Sequence, residues 1–195
     1  MAVICEKNKI KFRDEVFTSL LTAKRQICPS PNTTNIYFGN NRANLIITIV
    51  SNPHCGPCGA MHTKIEELLD KYKENICVFY VFSSFEGDWF DESEEFLISV
   101  YFAHSKEITR EIYADWYNGG RNNRDSFISK YSFVKNQEEV VKEMERHRAF
   151  CERESIEVTP TIFINGYMLP KDYSIDDLKY FDLSKICVLI NNLSN

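Results

Sequence analysis

The sequence predicts an α/β fold of the plan βαβ…ββα, with a large helical insertion and an N-terminal helical extension. Three observations carry that expectation. Two apolar, β-branched and aromatic runs, "NLIITIVS" at 44–51 and "ICVFYVFS" at 76–83, flank a stretch of helical periodicity. A third run, "TIFING" at 161–166, ends in Asn165-Gly166, a strong short hairpin signal. The residues between the second and third runs, 84–158, are periodic at helical spacing throughout. At 195 residues and 44% hydrophobic content, the chain is long enough for one well-buried core with at most one inserted subdomain.

In chain order, residues 1–43 hold one predicted helix, "DEVFTSLLTAK", followed by a loop containing Pro29, Pro31 and many asparagines. After the first strand comes a helix that starts around Pro57. Cys58, Met61, Ile65, Leu68, Leu69 and Tyr72 line one side, and Lys64, Glu66, Glu67 and Lys71 line the other. Strand, helix and strand in so short a span make a βαβ unit with a parallel pair. The insertion at 84–158 reads as helices through "EEFLISVYFAH", "ITREIYADWY" and "EEVVKEMERHRAF", broken at Ser105, Gly119-Gly120 and Asn136. After the third strand "YMLP" returns as its partner, and Ser174 with Asp177 forms a capping box that opens a closing helix through "IDDLKYF". The core is thus 44–83 joined to 159–195. No internal repeat or low-complexity tract occurs.

Several function classes drop out on composition. The net charge is −5, with basic residues scattered among acidic ones, so no single-sign stripe for nucleic acid is present. The longest apolar runs, such as Leu45 to Val50, fall far short of the roughly 20 residues that span a bilayer. The N-terminus lacks a charged region followed by an apolar one, so the chain as written is expected to be soluble and without an export signal. Seven cysteines is an odd count. Cys5, Cys28, Cys77, Cys151 and Cys187 follow no disulfide framework and are expected to be free thiols. Cys77 sits in an apolar run and Cys151 and Cys187 in helical patterns, where cysteine serves as a small hydrophobe.

The remaining two cysteines lie in "SNPHCGPCGAMH", residues 51–62. Three chemistries compete for the pair: a redox dithiol, half of a zinc site and a short structural disulfide. Cys55 falls where the first strand ends and the helix begins, with Gly56 and Pro57 in the first turn. Unpaired N–H groups and the helix dipole stabilise a thiolate there, which makes Cys55 the expected nucleophile. Cys58 lies one turn in, deeper and within reach of Cys55, as a resolving thiol would. Pro57 suits a first turn because its missing N–H has no helical partner to lose, and Gly56 lets a partner's backbone approach the sulfur. His54 either stabilises the thiolate when protonated or is an exposed imidazole without a role. His62 shares a stripe with both cysteines, but zinc needs a fourth ligand, and Met61 and Ile65 beside it favour a packing histidine; no metal is expected. His104 and His147 lie among charged helical residues and are expected to be solvated. The acidic run "EGDWFDESEE" at 86–95 is expected to be a solvated loop and helix start, or, if near the active site, a surface that steers partners.

"CGPC" at 55–58 and "VTPTIFING" at 158–166 resemble the thioredoxin superfamily's active-site motif and its cis-proline segment, in the right order on the right strands. The helical insertion resembles the DsbA-like branch. A closer resemblance is to the thioredoxin-like domains fused to bacterial vitamin K epoxide reductase homologues, carried by "SNPHCGPC", "DWY" at 115–117, "TPTIFINGYMLP" and "YSIDDLKYF" and covering about residues 36–182. This resemblance implies a thioredoxin fold and a thiol-disulfide oxidoreductase acting on protein thiols or disulfides, its redox group the Cys55/Cys58 disulfide and no diffusible cofactor. It further implies that Thr159 and cis Pro160 face the pair, that the backbone of Thr159 pairs with a substrate strand, that the Thr159 hydroxyl donates to the Cys55 thiolate and that Pro160 keeps metals off the thiols. A vitamin K epoxide reductase-type membrane partner or fused domain and a periplasmic location follow by the same resemblance, with a cytoplasmic location as the alternative that the spare thiols favour. Two departures stand out: Ile49 occupies the position of thioredoxin's buried acid, and His54 replaces its tryptophan. "GP" between the cysteines resembles a reductant and the insertion an oxidant, so direction stays open. The other function class is a binding module on the same scaffold, for a peptide or an iron–sulfur cluster.

Overall fold

The computed structural model describes residues 10–27, 33–84, 91–135 and 137–193. Cys5 and Cys28, the prolines of the N-terminal loop, the expected break at Asn136 and the first half of the acidic run lie outside the described residues.

Among the described residues five strands form one sheet in the order β1-β3-β2-β4-β5, comprising β1 (Tyr37–Gly39), β2 (Leu45–Ser51), β3 (Ile76–Phe82), β4 (Thr161–Ile164) and β5 (Tyr167–Met168). β2 and β3 are parallel, Leu45 opposite Ile76 through Ser51 opposite Phe82, and all other neighbours are antiparallel. The two central strands are buried almost along their length because helices cover both faces. On one face Leu45, Ile47, Ile49, Val78, Tyr80 and Phe82 pack against helix α2 (Gly56–Tyr72) and the insertion helices. On the other, Val50, Val81 and Phe163 meet Phe150, Cys151 and Ile156.

α2 starts where the sequence provides a start. Cys55 is its N-cap, with extended backbone and a side chain that accepts from the Cys58 N–H, and proline follows in the first turn. The insertion consists of α3 (Glu92–Ala103), α4 (Lys106–Tyr117), a 3-10 turn at Gly120–Asn123, α5 (Arg124–Ile128) and α6 (Glu138–Arg153). Asp91 caps α3 through the Ser93 N–H, and Ser105 caps α4 through the Ile108 N–H. Arg110 on α4 bonds Glu66 at 2.7 Å and Asp70 at 2.6 Å, tying the insertion to α2. At the hairpin, Asn165 and Gly166 both have positive φ, 47° and 86°, as its tight turn requires.

Four local expectations are corrected. The first 43 residues hold more than helix α1 (Asp14–Thr22) and a loop, because Tyr37–Gly39 adds the edge strand β1. "IDDLKYF" keeps the Ser174–Asp177 capping box but forms a 3-10 turn at Ile175–Tyr180, and the closing α-helix α7 (Leu183–Leu193) comes after it. His147 is fully buried rather than solvated. It lies on the stripe Val140, Glu143, Met144, His147, Phe150 and Cys151 of α6, accepts from the Phe82 N–H at 3.2 Å and contacts Thr34 and Glu143. The end of the acidic run is likewise buried. Ser93, Glu94 and Glu95 face inward at the start of α3, and Glu94 accepts from the Ser84 hydroxyl. No helix among the described residues is long and apolar enough to cross a membrane.

Candidate functional site

The C-terminal end of β2 and the N-terminus of α2 bring Cys55 and Cys58 together, both as free thiols. The half-buried Cys55 sulfur accepts from the Cys58 N–H at 3.2 Å and lies 3.6 Å from the Thr159 carbonyl, to which its thiol donates. Cys58 is wholly buried, and its sulfur accepts from the Asn52 N–H at 3.5 Å. Burial pushes the Cys58 thiol up to about 11, and its hydrogen bond with Cys55 adds to the rise, while Asn52 and the Thr159 side chain oppose it. The pair is therefore asymmetric: one sulfur reaches the surface at a helix N-terminus and the other is held inside as a neutral thiol.

The expected neighbours take up distinct positions. Gly56 and Pro57 are exposed, and the space a Cβ would fill at Gly56 is open to 4 Å. The Thr159–Pro160 peptide bond is cis. Thr159 meets Cys55 through its carbonyl rather than its hydroxyl, and its side chain acts on Cys58 instead. Beside Pro160 runs a groove of about 440 Å³ lined by Met61, Lys64, Ile162, Leu169 and Tyr173 among others. His54 is exposed, with its Nε2 2.7 Å from an Asp91 carboxylate oxygen and its backbone N–H donating to the Asn52 side chain. His62 is buried, its Nδ1 2.8 Å from the Tyr80 hydroxyl, and burial lowers its pKa to about 4, so it is neutral at pH 7. Among the described residues no group of three or more His, Cys, Asp or Glu side chains is arranged to hold a metal ion.

Five site neighbours were given no individual site role from sequence. Asp91 pairs with His54, and Trp116 donates its indole N–H to the Pro53 carbonyl at 2.9 Å, bracing the segment before the motif. Tyr117 and Ser51 share a buried hydroxyl contact of 2.8 Å at the end of β2, on the strand where Ile49 leaves no acid. Arg121 donates to the Cys55 carbonyl at 2.6 Å. Trp116 and Tyr117 fall in "DWY" on the buried stripe of α4, so periodicity marks them as inward-facing. Asp91 belongs to the acidic run read as a helix start, or near the active site as a surface that steers partners, whereas Arg121 carries no local signal.

A family model described as thioredoxin matches residues 31–181. Among solved structures, the thiol-disulfide exchange protein alpha-DsbA2 from Wolbachia pipientis is similar at TM-score 0.64 and 15% identity, over 91% of this chain and 97% of that one. BdbD from Bacillus subtilis gives TM-score 0.60 at 14% identity, over 85% and 98%. The catalytic domain of Proteus mirabilis ScsC gives TM-score 0.60 at 14% identity, over 92% and 99%. No curated protein sequence matches the chain significantly.

Proposed function

Because the chain belongs to the thioredoxin family, we propose that it is a thiol-disulfide oxidoreductase that exchanges disulfides with protein substrates, with Cys55 as nucleophile and Cys58 as resolving thiol. The observation that supports this most directly is the asymmetry of the two sulfurs: one half-buried at a helix N-cap, the other enclosed three residues on with its pKa at about 11. In the reducing direction the Cys55 thiolate attacks one sulfur of a substrate disulfide. A Cys55–substrate disulfide forms and the other substrate sulfur leaves as a thiolate. Cys58 then attacks Cys55, its proton passes to the departing substrate sulfur, and the Cys55–Cys58 disulfide closes. In the oxidising direction a substrate thiolate attacks Cys55 in that disulfide, and Cys58 leaves and is protonated.

The groove beside Pro160 supports a substrate segment docked along Thr159 to Ile162, where apolar Met61, Ile162 and Leu169 would take side chains. The similarity of "SNPHCGPC" and "TPTIFINGYMLP" to domains fused to vitamin K epoxide reductase homologues supports a membrane-embedded partner of the vitamin K epoxide reductase type, or a fused domain, and an extracytoplasmic location. The experiment is thiol trapping with mass spectrometry. Cys58→Ser is expected to accumulate mixed disulfides with substrate proteins through Cys55, and Cys55→Ser to accumulate none. Equal trapping by both variants, or no Cys55–Cys58 disulfide in the wild-type chain at any glutathione ratio, would remove the enzyme and leave a binding module.

A further inference from the structure

We infer that Arg121 is a positioning residue whose charge sets the redox potential of the Cys55/Cys58 pair, moving it toward disulfide donation. The inference rests on the oxidoreductase function proposed above and concerns its direction. Arg121 comes from the 3-10 turn after α4, sixty-six residues from the motif, and its Nη1 donates to the Cys55 carbonyl at 2.6 Å. That carbonyl already accepts the first intrahelical bond of α2, from the Gly59 N–H at 3.3 Å. The guanidinium lies flat against the first turn: a Cβ on Gly59 would sit 3.3 Å from Nη1 and 3.5 Å from Nη2. A Cβ at 59 would thus press on the guanidinium by a few tenths of an ångström, which places the cation directly beside the first turn.

Among the described residues no carboxylate pairs with Arg121. The anion nearest to the motif in the structure's hydrogen-bond network, Asp91, is engaged by His54 and by the Ser93 N–H. Ile49, six residues before Cys55 on β2, is buried and brings no charge to the site. Tyr117 lies among these groups: burial is what chiefly disfavours ionisation of its hydroxyl, with Ser51 opposing, and to a smaller extent charge at Cys58 and Cys55 adds to the rise while Arg121 opposes it.

The consequence follows from charge balance. Oxidation of the dithiol by glutathione disulfide forms the Cys55–Cys58 bond, breaks the glutathione S–S bond and releases two glutathione thiols, with the protons of the protein thiols passing to them. The thiolate form of the reduced pair places negative charge on Cys55, whereas the disulfide carries none. A cation fixed at the Cys55 carbonyl, partly withdrawn from solvent, lowers the energy of the reduced state and leaves the oxidised state untouched. The Cys58 N–H acts in the same sense but comes with the helix, while the Thr159 carbonyl, which accepts from the Cys55 thiol, favours the protonated over the thiolate form of the reduced state.

The test equilibrates the full chain and its Arg121→Lys, Arg121→Gln and Arg121→Met variants with reduced and oxidised glutathione at pH 7, with thiol trapping to count the oxidised fraction. The two neutral variants are expected to raise the equilibrium constant for oxidation about tenfold or more, a potential about 30 mV more negative. Lysine, which keeps the charge, is expected to stay within about threefold of wild type. A potential unchanged in folded Arg121→Gln or Arg121→Met overturns the inference, as does a lysine variant that moves as far as they do. Loss of the circular-dichroism fold in both neutral variants would assign Arg121 a structural role and overturn it as well. Failure of the wild-type disulfide to form at any ratio would instead remove the oxidoreductase function itself.

Discussion

Cys58 is expected to be almost unreactive until it is presented with the mixed disulfide, and the structure sets the scale. Burial, then the hydrogen bond with Cys55, moves its pKa from 9.0 to about 11. Two units mean about a hundredfold less thiolate at any pH well below both values. Alkylation proceeds through the thiolate, so at pH 7 iodoacetamide should label Cys58 at least about a hundredfold more slowly in the native chain than in the urea-unfolded chain. Steric enclosure of the sulfur can only widen that ratio. The rate should climb about tenfold per pH unit from pH 7 to 10 without a plateau, because the fraction ionised does so below the pKa. The assay is a short iodoacetamide pulse on reduced protein, followed by tandem mass spectrometry that separates singly labelled Cys55 from singly labelled Cys58. A native rate within tenfold of the unfolded one, or a plateau near pH 9, would refute the account of Cys58 as the enclosed, neutral partner.

Two further outcomes concern the groups around the site. Burial, reinforced by Asp91, raises the pKa of Glu94 from 4.5 to about 8. Between those values the folded chain holds a proton that the unfolded chain has lost, so the stabilisation present below pH 4.5 is lost as pH rises through about 8, on the order of 5 kcal/mol in all. Glu94→Gln keeps an acceptor for Ser84 and removes the titration; urea unfolding at pH 5.5 and 8.5 should show the variant gaining on wild type at the higher pH by about 1–3 kcal/mol, and no gain would contradict a protonated buried carboxyl. Tyr117→Phe strips the buried Ser51 hydroxyl of its 2.8 Å partner and should cost about 1–3 kcal/mol, part of which Ser51→Ala should restore in the double variant; additive losses in that cycle would mean the two hydroxyls do not interact.

The fold class was legible because β2, α2 and β3 each have enough residues for periodicity to act on, and the Asn165-Gly166 turn needs the positive φ those residues tolerate. β1 escaped notice for the opposite reason: three residues ending in glycine are too few to alternate. His147, Glu94 and Glu95 were placed in solvent on the strength of their charged neighbours. Their positions relative to the buried stripe were the better guide, since α6 puts His147 three residues after Met144 and four before Cys151 on one face. Their burial is stabilised by partners distant in sequence, such as Thr34 and the Phe82 N–H for His147.

By itself the sequence determined that a thiol would sit at the head of a helix. A strand ending in Ser51, a proline at 57 and two cysteines three apart are statements about adjacent backbone dihedrals, and the Cys58 N–H on the Cys55 sulfur follows within one turn. Everything that distinguishes this dithiol from others with the same four letters came from packing. The Thr159 carbonyl arrives from 104 residues away, Arg121 from 66 and Asp91 from 37, and the enclosure of Cys58 requires the sheet and the insertion to close over it. Local chain geometry is set by neighbours in sequence, whereas the energy of a charge on sulfur is set by every dipole, cation and water molecule within a few ångströms, and only the tertiary fold decides which those are.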